Sequence, residues 1–399
     1  MSHTIRLEIG APAHGGHCIA RYDGRAVFVR HALPGEVVEA VVTEGGDDAR
    51  FWRADAVEIL EPSTDRVEPA WPLAGPGGVG GAELSHVALP AQRAWKLAVL
   101  REAFERFARQ EFPGTVKAAP GDDETGGLGY RTRVTATADV QGRAAMYVFR
   151  SQRLLALNAM PLAVPEVEAA LLGTRYPADA RIGVAQGSDG GVRVTVDGRP
   201  WRAGKVDQRP NAARSVHERV TLDGEDFDFK VDADGFWQVH RAAPGVLAGE
   251  VLARVGDARR VADLYAGAGL FTLPLAATGR EVVSVETDRG ASRAAKRNLH
   301  GHANASIVHG DARRALESGI GQQDAVVLDP PRSGAGKRTI DALAGTRTER
   351  IVYVACDPVA LARDTSLLAE HGYRLVDAQA FDLFPMTHHV ETVATFTLS

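Results

Sequence analysis

The chain has 399 residues, 45% of them apolar and 24% charged, with a formal net charge of −5. That length asks for two or three cores rather than one, the composition is that of a soluble globular protein, and no apolar run approaches the roughly 20 residues of a membrane helix. Two cysteines, Cys18 and Cys356, exclude a disulfide framework and a four-thiolate cluster.

Residues 1–60 read as short strands separated by turn residues: Ile5–Ile9, Arg25–Val29, Glu36–Val42 and Phe51–Leu60. Close spacing with Gly or Pro between them predicts a small β-barrel over 1–62. The opening Met1–Arg6 holds no hydrophobic signal core, so a cytoplasmic location is expected. A glycine-rich loop at 74–81 leads to a helix over 91–110, with Trp95, Val99 and Phe107 apolar. This helix is expected to pack on the C-terminal domain. Residues 63–236 form a strand-rich α+β middle domain on this reading. From 237 to 399 strands and helices alternate, which predicts a parallel, Rossmann-like α/β sheet. Its strands are Val261–Tyr265, Glu281–Val285, Ala305–Val308, Asp324–Leu328, Arg350–Val354 and Thr392–Leu398.

Charge is uneven along the chain. Six arginines against eleven acidic residues give 1–65 a charge of −5, whereas fifteen basic against twelve acidic residues give 126–231 a charge of +3. If RNA binds, the middle segment is the better electrostatic partner.

Asp263-Leu264-Tyr265-Ala266-Gly267-Ala268-Gly269-Leu270 follows a strand and opens a helix. Two glycines let the backbone approach a ligand at the carboxyl edge of the sheet. Thr272 stands where a dinucleotide fingerprint needs a third Gly or Ala, so the loop fits a methyl-donor site better than a pyrophosphate. Glu286 ends the next strand, where an acid holds ribose hydroxyls, and Asp311 follows the third strand, placed to meet an adenine. The bland alternative is any Rossmann-like loop with a surface Glu.

Asp329-Pro330-Pro331-Arg332 ends the fourth strand and Cys356 ends the fifth, so both open on one cleft. The prolines hold Asp329 extended. An aromatic in place of Arg332 would mark amino-group methylation. A rigid turn with a capping Asp, and an ordinary buried cysteine, are the structural alternatives. A thiol, a methyl donor and a base are what methylation of a pyrimidine C5 requires. A thiolate adding to C6 makes an enolate whose C5 attacks the methyl group. A cation or helix N-terminus near Cys356 is expected to supply that thiolate. Glu391, before the last strand, is the candidate base for the C5 proton. His388 and His389 are adjacent and expected on opposite faces, which argues against a metal pair, and no metal site is expected.

Phe236-Trp237-Gln238-Val239-His240, the glycine loop, Asp-Pro-Pro-Arg, Cys-Asp-Pro and the terminal His-x-Glu together resemble the RNA uracil-5-methyltransferase family acting on tRNA and 23S rRNA. The N-terminal barrel resembles a TRAM domain, an RNA-binding module. The resemblance implies Cys356 as nucleophile and Glu391 as proton acceptor. It also implies Gln238, Tyr265, Glu286 and Asp329 around S-adenosylmethionine, beside Gly267, Gly269 and Asp311 read from the loop and strand ends, and RNA, ribosomal or transfer, as partner; a monomer with no membrane association is expected. Three departures stand out. Val79-Gly80-Gly81-Ala82 replaces a Cys-Gly-Gly-Cys of many ribosomal members, so no iron–sulfur cluster is expected; Leu270 replaces a frequent Asn; Met386 replaces a frequent His or Tyr. Amino-group methylation, or an RNA-binding protein with a relict donor site, are the competing functions.

Overall fold

The computed structural model describes residues 4–46 and 48–399. Met1-Ser2-His3, part of the stretch read as lacking a signal core, and Asp47 lie outside the described residues.

Five strands, Thr4–Ala13, His17–Tyr22, Arg25–Arg30, Val37–Glu44 and Phe51–Glu61, close into a barrel. Ile5, Leu7 and Ile9 alternate inward with exposed residues between them, the period of a half-buried strand. The sequence pattern does not single out His17–Tyr22, because its inward residues, Cys18 and Ala20, are small. Closure comes from a parallel pairing of Arg25–Arg30 with Phe51–Glu61.

The helix expected over 91–110 runs from Leu89 to Ala103, with Pro90 in its first turn, and passes into a π-helical turn at Phe104–Ala108. One face, Trp95 and Val99, completes the apolar core of the barrel. Further along, Leu100, Ala103 and Phe104 pack into the core beneath the C-terminal sheet. The helix therefore fastens barrel to sheet.

The middle region holds a seven-stranded antiparallel sheet between Arg133 and Val206. Trp71, Val79, Ala82 and Met160 belong to its apolar core. The Val79–Ala82 segment is thus occupied by hydrophobic packing. Among the described residues no group of three or more His, Cys, Asp or Glu is arranged to hold a metal ion. A hairpin, Ser215–Leu222 with Glu225–Asp232, turns Val220, Phe227 and Phe229 into the C-terminal core.

In the C-terminal sheet we number β1 Arg260–Leu264, β2 Glu281–Glu286, β3 Ala305–His309, β4 Ala325–Leu328, β5 Arg350–Ala355, β6 Tyr373–Asp382 and β7 Glu391–Leu398. The order is β3-β2-β1-β4-β5-β7-β6, with Val116–Ala118 added at the β6 edge. β1 to β5 are parallel and β7 runs antiparallel to β5 and β6. β6 goes unread in the sequence because a bulge between Leu375 and Asp377 breaks its alternation and leaves Val376 exposed. Strand order reverses between β1 and β4, the crevice where such sheets bind ligands. Among the described residues no helix is long and apolar enough to cross a membrane.

Candidate active site

A cavity of about 930 Å³ opens at the carboxyl ends of β1, β4 and β5 and the start of β7. Seven sequence-predicted residues line it: Gln238, Tyr265, Gly267, Glu286, Asp329, Cys356 and Glu391. Gly269 and Asp311 do not. Gly269 instead takes a φ of +91°, a left-handed backbone that favours glycine, and faces the helix Arg289–Asn298 across ordinary contact distances. The Asp311 carboxylate caps the helix Ala312–Ser318, accepting from the Arg314 amide at 3.0 Å.

The glycine loop is held in an uncommon backbone shape. Tyr265 takes a φ of +64° and Gly267 a φ of +57°, and for tyrosine the left-handed region costs about 1 kcal/mol or more. Glu286 fastens the loop. Its carboxylate accepts from the Gly267 amide at 2.8 Å and from the Asp288 amide at 2.6 Å, tying the turn to the end of β2. The lining is largely apolar on the loop side, through Ala266, Ala268, Leu270 and Phe271, and acidic at Glu286. An apolar slot with carboxylates at one end, Glu286 and Asp288, fits the adenosine and ribose hydroxyls of S-adenosylmethionine.

Beneath the loop, Asp263 is fully buried, with one oxygen accepting from Thr272 Oγ1 at 2.5 Å and the other unpartnered. Burial pushes it up to about 7. Asp329 is likewise pushed up to about 7, by burial and then by the neighbouring Asp263 carboxyl. A carboxyl held protonated near neutral pH is a hydrogen-bond donor as well as an acceptor.

Cys356 follows the last residue of β5. Ala355 pairs with Thr392, so the register sets Cys356 beside Glu391, roughly 5 Å apart at Cα as neighbours on adjacent strands are. The expectation of a cation or helix terminus that lowers the thiol is not met. Burial, then Glu391 and Asp329, push Cys356 up to about 12, with Arg332 pulling the other way. The helix terminus is already taken, because Asp357 caps Pro358–Glu370 by accepting from the Val359 and Ala360 amides. Burial, then Asp329, also hold Glu391 well above the usual carboxylate range. In the unliganded site burial therefore favours the protonated forms of the Cys356 thiol and of the Asp329 and Glu391 carboxyls.

Glu391 reaches the cavity through the loop 383–390, which is clamped from outside the sheet. Lys96 pairs with Asp382 in the interior and donates to the Phe384 carbonyl at 3.0 Å. Gln92 accepts from the Met386 amide at 2.7 Å, and Tyr130 donates to the Pro385 carbonyl at 3.1 Å. Met386 sits at φ +67° in this bend. His388 and His389 lie in the loop, not in a strand, so the two-face rule does not apply and their rings are 4.1 Å apart. Gln92 and Lys96 escape sequence reading because they look like the polar face of a helix; only their complete burial marks them as holding a site. Arg332, Phe236 and His389 also line the cavity, and Phe236 stays 74% exposed at its mouth.

Three family models match in chain order: TRAM domain over 3–55, methyltransferase small domain over 245–349 and tRNA (uracil-5-)-methyltransferase over 319–397. A protein of Bifidobacterium longum named uncharacterized RNA methyltransferase is 42% identical, covering 100% of this chain and 97% of its own. A 23S rRNA (uracil(1939)-C(5))-methyltransferase of Shewanella amazonensis is 31% identical, covering 100% of this chain and 96% of its own. The chain belongs to the RNA uracil-5-methyltransferase family. Its fold agrees: the tRNA (uracil-54, C5)-methyltransferase of Pyrococcus abyssi, solved with S-adenosyl-L-homocysteine, superposes with a TM-score of 0.73 at 20% identity, over 98% of this chain and 99% of that one. In family terms the barrel is the TRAM domain, and the cavity lies in the S-adenosylmethionine-dependent methyltransferase fold.

Proposed function

We propose that this enzyme methylates C5 of a uridine in RNA through a covalent Cys356 adduct, with Glu391 removing the C5 proton. The carrying observation is that Cys356, just past the end of β5, and Glu391, at the start of β7, sit side by side and line the same cavity as the glycine loop and Asp329. S-adenosylmethionine, held by the loop and Glu286, supplies an electrophilic methyl group on a positively charged sulfur.

Positive charge beside the Cys356 thiol and the Glu391 carboxyl favours their ionised forms, their protons passing to solvent, while Asp329, next to the buried Asp263, keeps its proton. The Cys356 thiolate adds to C6, and the ring's electron pair moves toward O4. Asp329 as a protonated donor, with the Gln238 amide, stabilises that oxygen where charge develops. C5 then forms its bond to the methyl carbon as the sulfur leaves with its electron pair. Glu391 takes the C5 proton, the C5–C6 double bond re-forms, and Cys356 departs as thiolate. Each electron pair is accounted for without an external oxidant or reductant.

The uridine is reached by turning it out of the folded RNA, with Phe236 and Phe384 as stacking surfaces at the mouth. Similarity to 23S rRNA methyltransferases along the whole chain makes ribosomal RNA the first substrate to examine, and tRNA the second. Nucleoside mass spectrometry of both pools, with and without the gene, tests this: loss of 5-methyluridine from one pool is expected. Cys356→Ala will abolish methylation and leave donor binding intact, and an active variant would refute the adduct. Glu391→Gln will accumulate a protein–RNA adduct visible on a denaturing gel.

A further inference from the structure

We propose that the turn between the first two barrel strands is part of the methyl-transfer machinery, with His14 acting as a positioning residue for Cys356. The inference rests on the reading of Cys356 as nucleophile. It assigns the barrel a task at the reacting centre beyond any contribution to RNA affinity.

The turn reaches both flanks of the Cys356–Glu391 pair. On the cysteine side, His14 Nε2 lies 2.9 Å from Asp357 Oδ2. The other oxygen of that carboxylate accepts from the Val359 and Ala360 amides at 3.0 and 2.8 Å. One side chain thus joins the barrel turn to the first turn of the helix, and Cys356 is the residue immediately before it. On the glutamate side, Gly16 takes a φ of +75° and packs so closely that a Cβ would fall 2.7 Å from Glu83 Cγ and 3.5 Å from His388 Cβ. Glu83 accepts from the His388 amide at 3.0 Å and contacts its ring. The His388 ring meets His14 edge-on at 6.0 Å and lies against His389, which contacts Arg332 at 3.3 Å.

Stability does not explain the His14 contact. Its side chain is 42% exposed and that of Asp357 20%, and an exposed pair contributes about 0.2–1 kcal/mol. Trp95 and Val99 already fasten the barrel through apolar packing. What a hydrogen bond at this place does is fix the Asp357 rotamer, and with it the backbone that aims Cys356. A displacement of about 1 Å at a reacting atom costs on the order of 100-fold in rate.

The test uses the full-length chain as wild type, His14→Ala, His14→Gln and Cys356→Ala. Gln presents an amide donor at about the reach of Nε2. Three quantities are measured: the single-turnover methylation rate at saturating unmodified 23S rRNA or tRNA transcript, the dissociation constants for that transcript and for S-adenosylmethionine, and amide hydrogen exchange over residues 356–360. His14→Ala is expected to slow single turnover about 10- to 100-fold and to speed exchange at 356–360, with both dissociation constants within about twofold of wild type. His14→Gln is expected to restore rate and protection. An unchanged rate in His14→Ala, a loss seen wholly as weaker transcript binding, or no rescue by Gln overturns the proposal. A Cys356→Ala variant as active as wild type removes the nucleophile reading instead, while hydrogen exchange still reports whether His14 holds the helix start.

Discussion

Burial, ahead of any neighbouring charge, sets the protonation of Asp263, Asp329, Cys356 and Glu391 around the cavity. Asp263 shows the consequence for stability. In the unfolded chain it releases its proton near the ordinary value of about 4, whereas the folded state keeps the proton up to about 7. Between those values the folded state holds more protons, so stability falls as pH rises, on the order of 1.4 kcal/mol per pH unit. Asp263→Asn will flatten the decline of the melting temperature between pH 5 and 8; equal slopes in both proteins would remove Asp263 from this account. Cys356 gives a second readout. With the thiol pushed up to about 12, little thiolate exists at pH 8, so iodoacetamide will label Cys356 far more slowly than a free thiol of pKa about 8.5. Labelling as fast as glutathione, followed by peptide mass spectrometry, would contradict the burial described above.

The helix Leu89–Ala103 and the loop 383–390 work as a pair. The helix supplies Gln92 and Lys96, and the loop carries Phe384, His389 and Glu391 to the cavity. Lys96 and Asp382 form an ion pair buried on both sides, and removing one partner leaves the other charge without compensation. Lys96→Met will therefore cost about 3–5 kcal/mol in urea unfolding. Adding Asp382→Leu will recover much of it, because the uncompensated charge goes too. The double variant should regain stability without regaining full activity, since the Phe384 carbonyl still lacks its donor. Full activity in that variant would mean the loop is held well enough by Gln92 and Tyr130.

Across the whole molecule the two ends respond to pH in opposite directions. His17, His31 and His86, around the barrel, are pushed down to about 4, 2 and 4, chiefly by burial and then by nearby arginines. Each binds a proton more readily when unfolded, so their contribution is present above about 6.5 and is lost as pH falls below it. The carboxyls under the glycine loop have the reverse slope. Hydrogen exchange corrected for intrinsic rates will show barrel strands losing protection from pH 7 to 5 while β1 and β4 keep or gain it. A uniform change over the chain would show that the two ends do not titrate separately.

Much of the site is legible in the sequence because its chemistry is written into short segments at strand ends. The glycine loop, Asp329, Cys356 and Glu391 each follow or begin a strand whose apolar pattern is local, and a parallel sheet gathers carboxyl ends on one edge. The gathering of these residues in one cavity follows from that, whereas the family is read from the resemblance of the motifs as a set. Tertiary structure alone decides what surrounds them. Gln92 and Lys96 are ordinary polar residues until burial closes over them, and His14 stands 343 positions from Asp357 along the chain. The charge state of Cys356 is set by burial first and then by two acids brought beside it from other strands. Contacts between distant segments leave no periodic trace, because neither partner's local sequence has to change for the other to arrive.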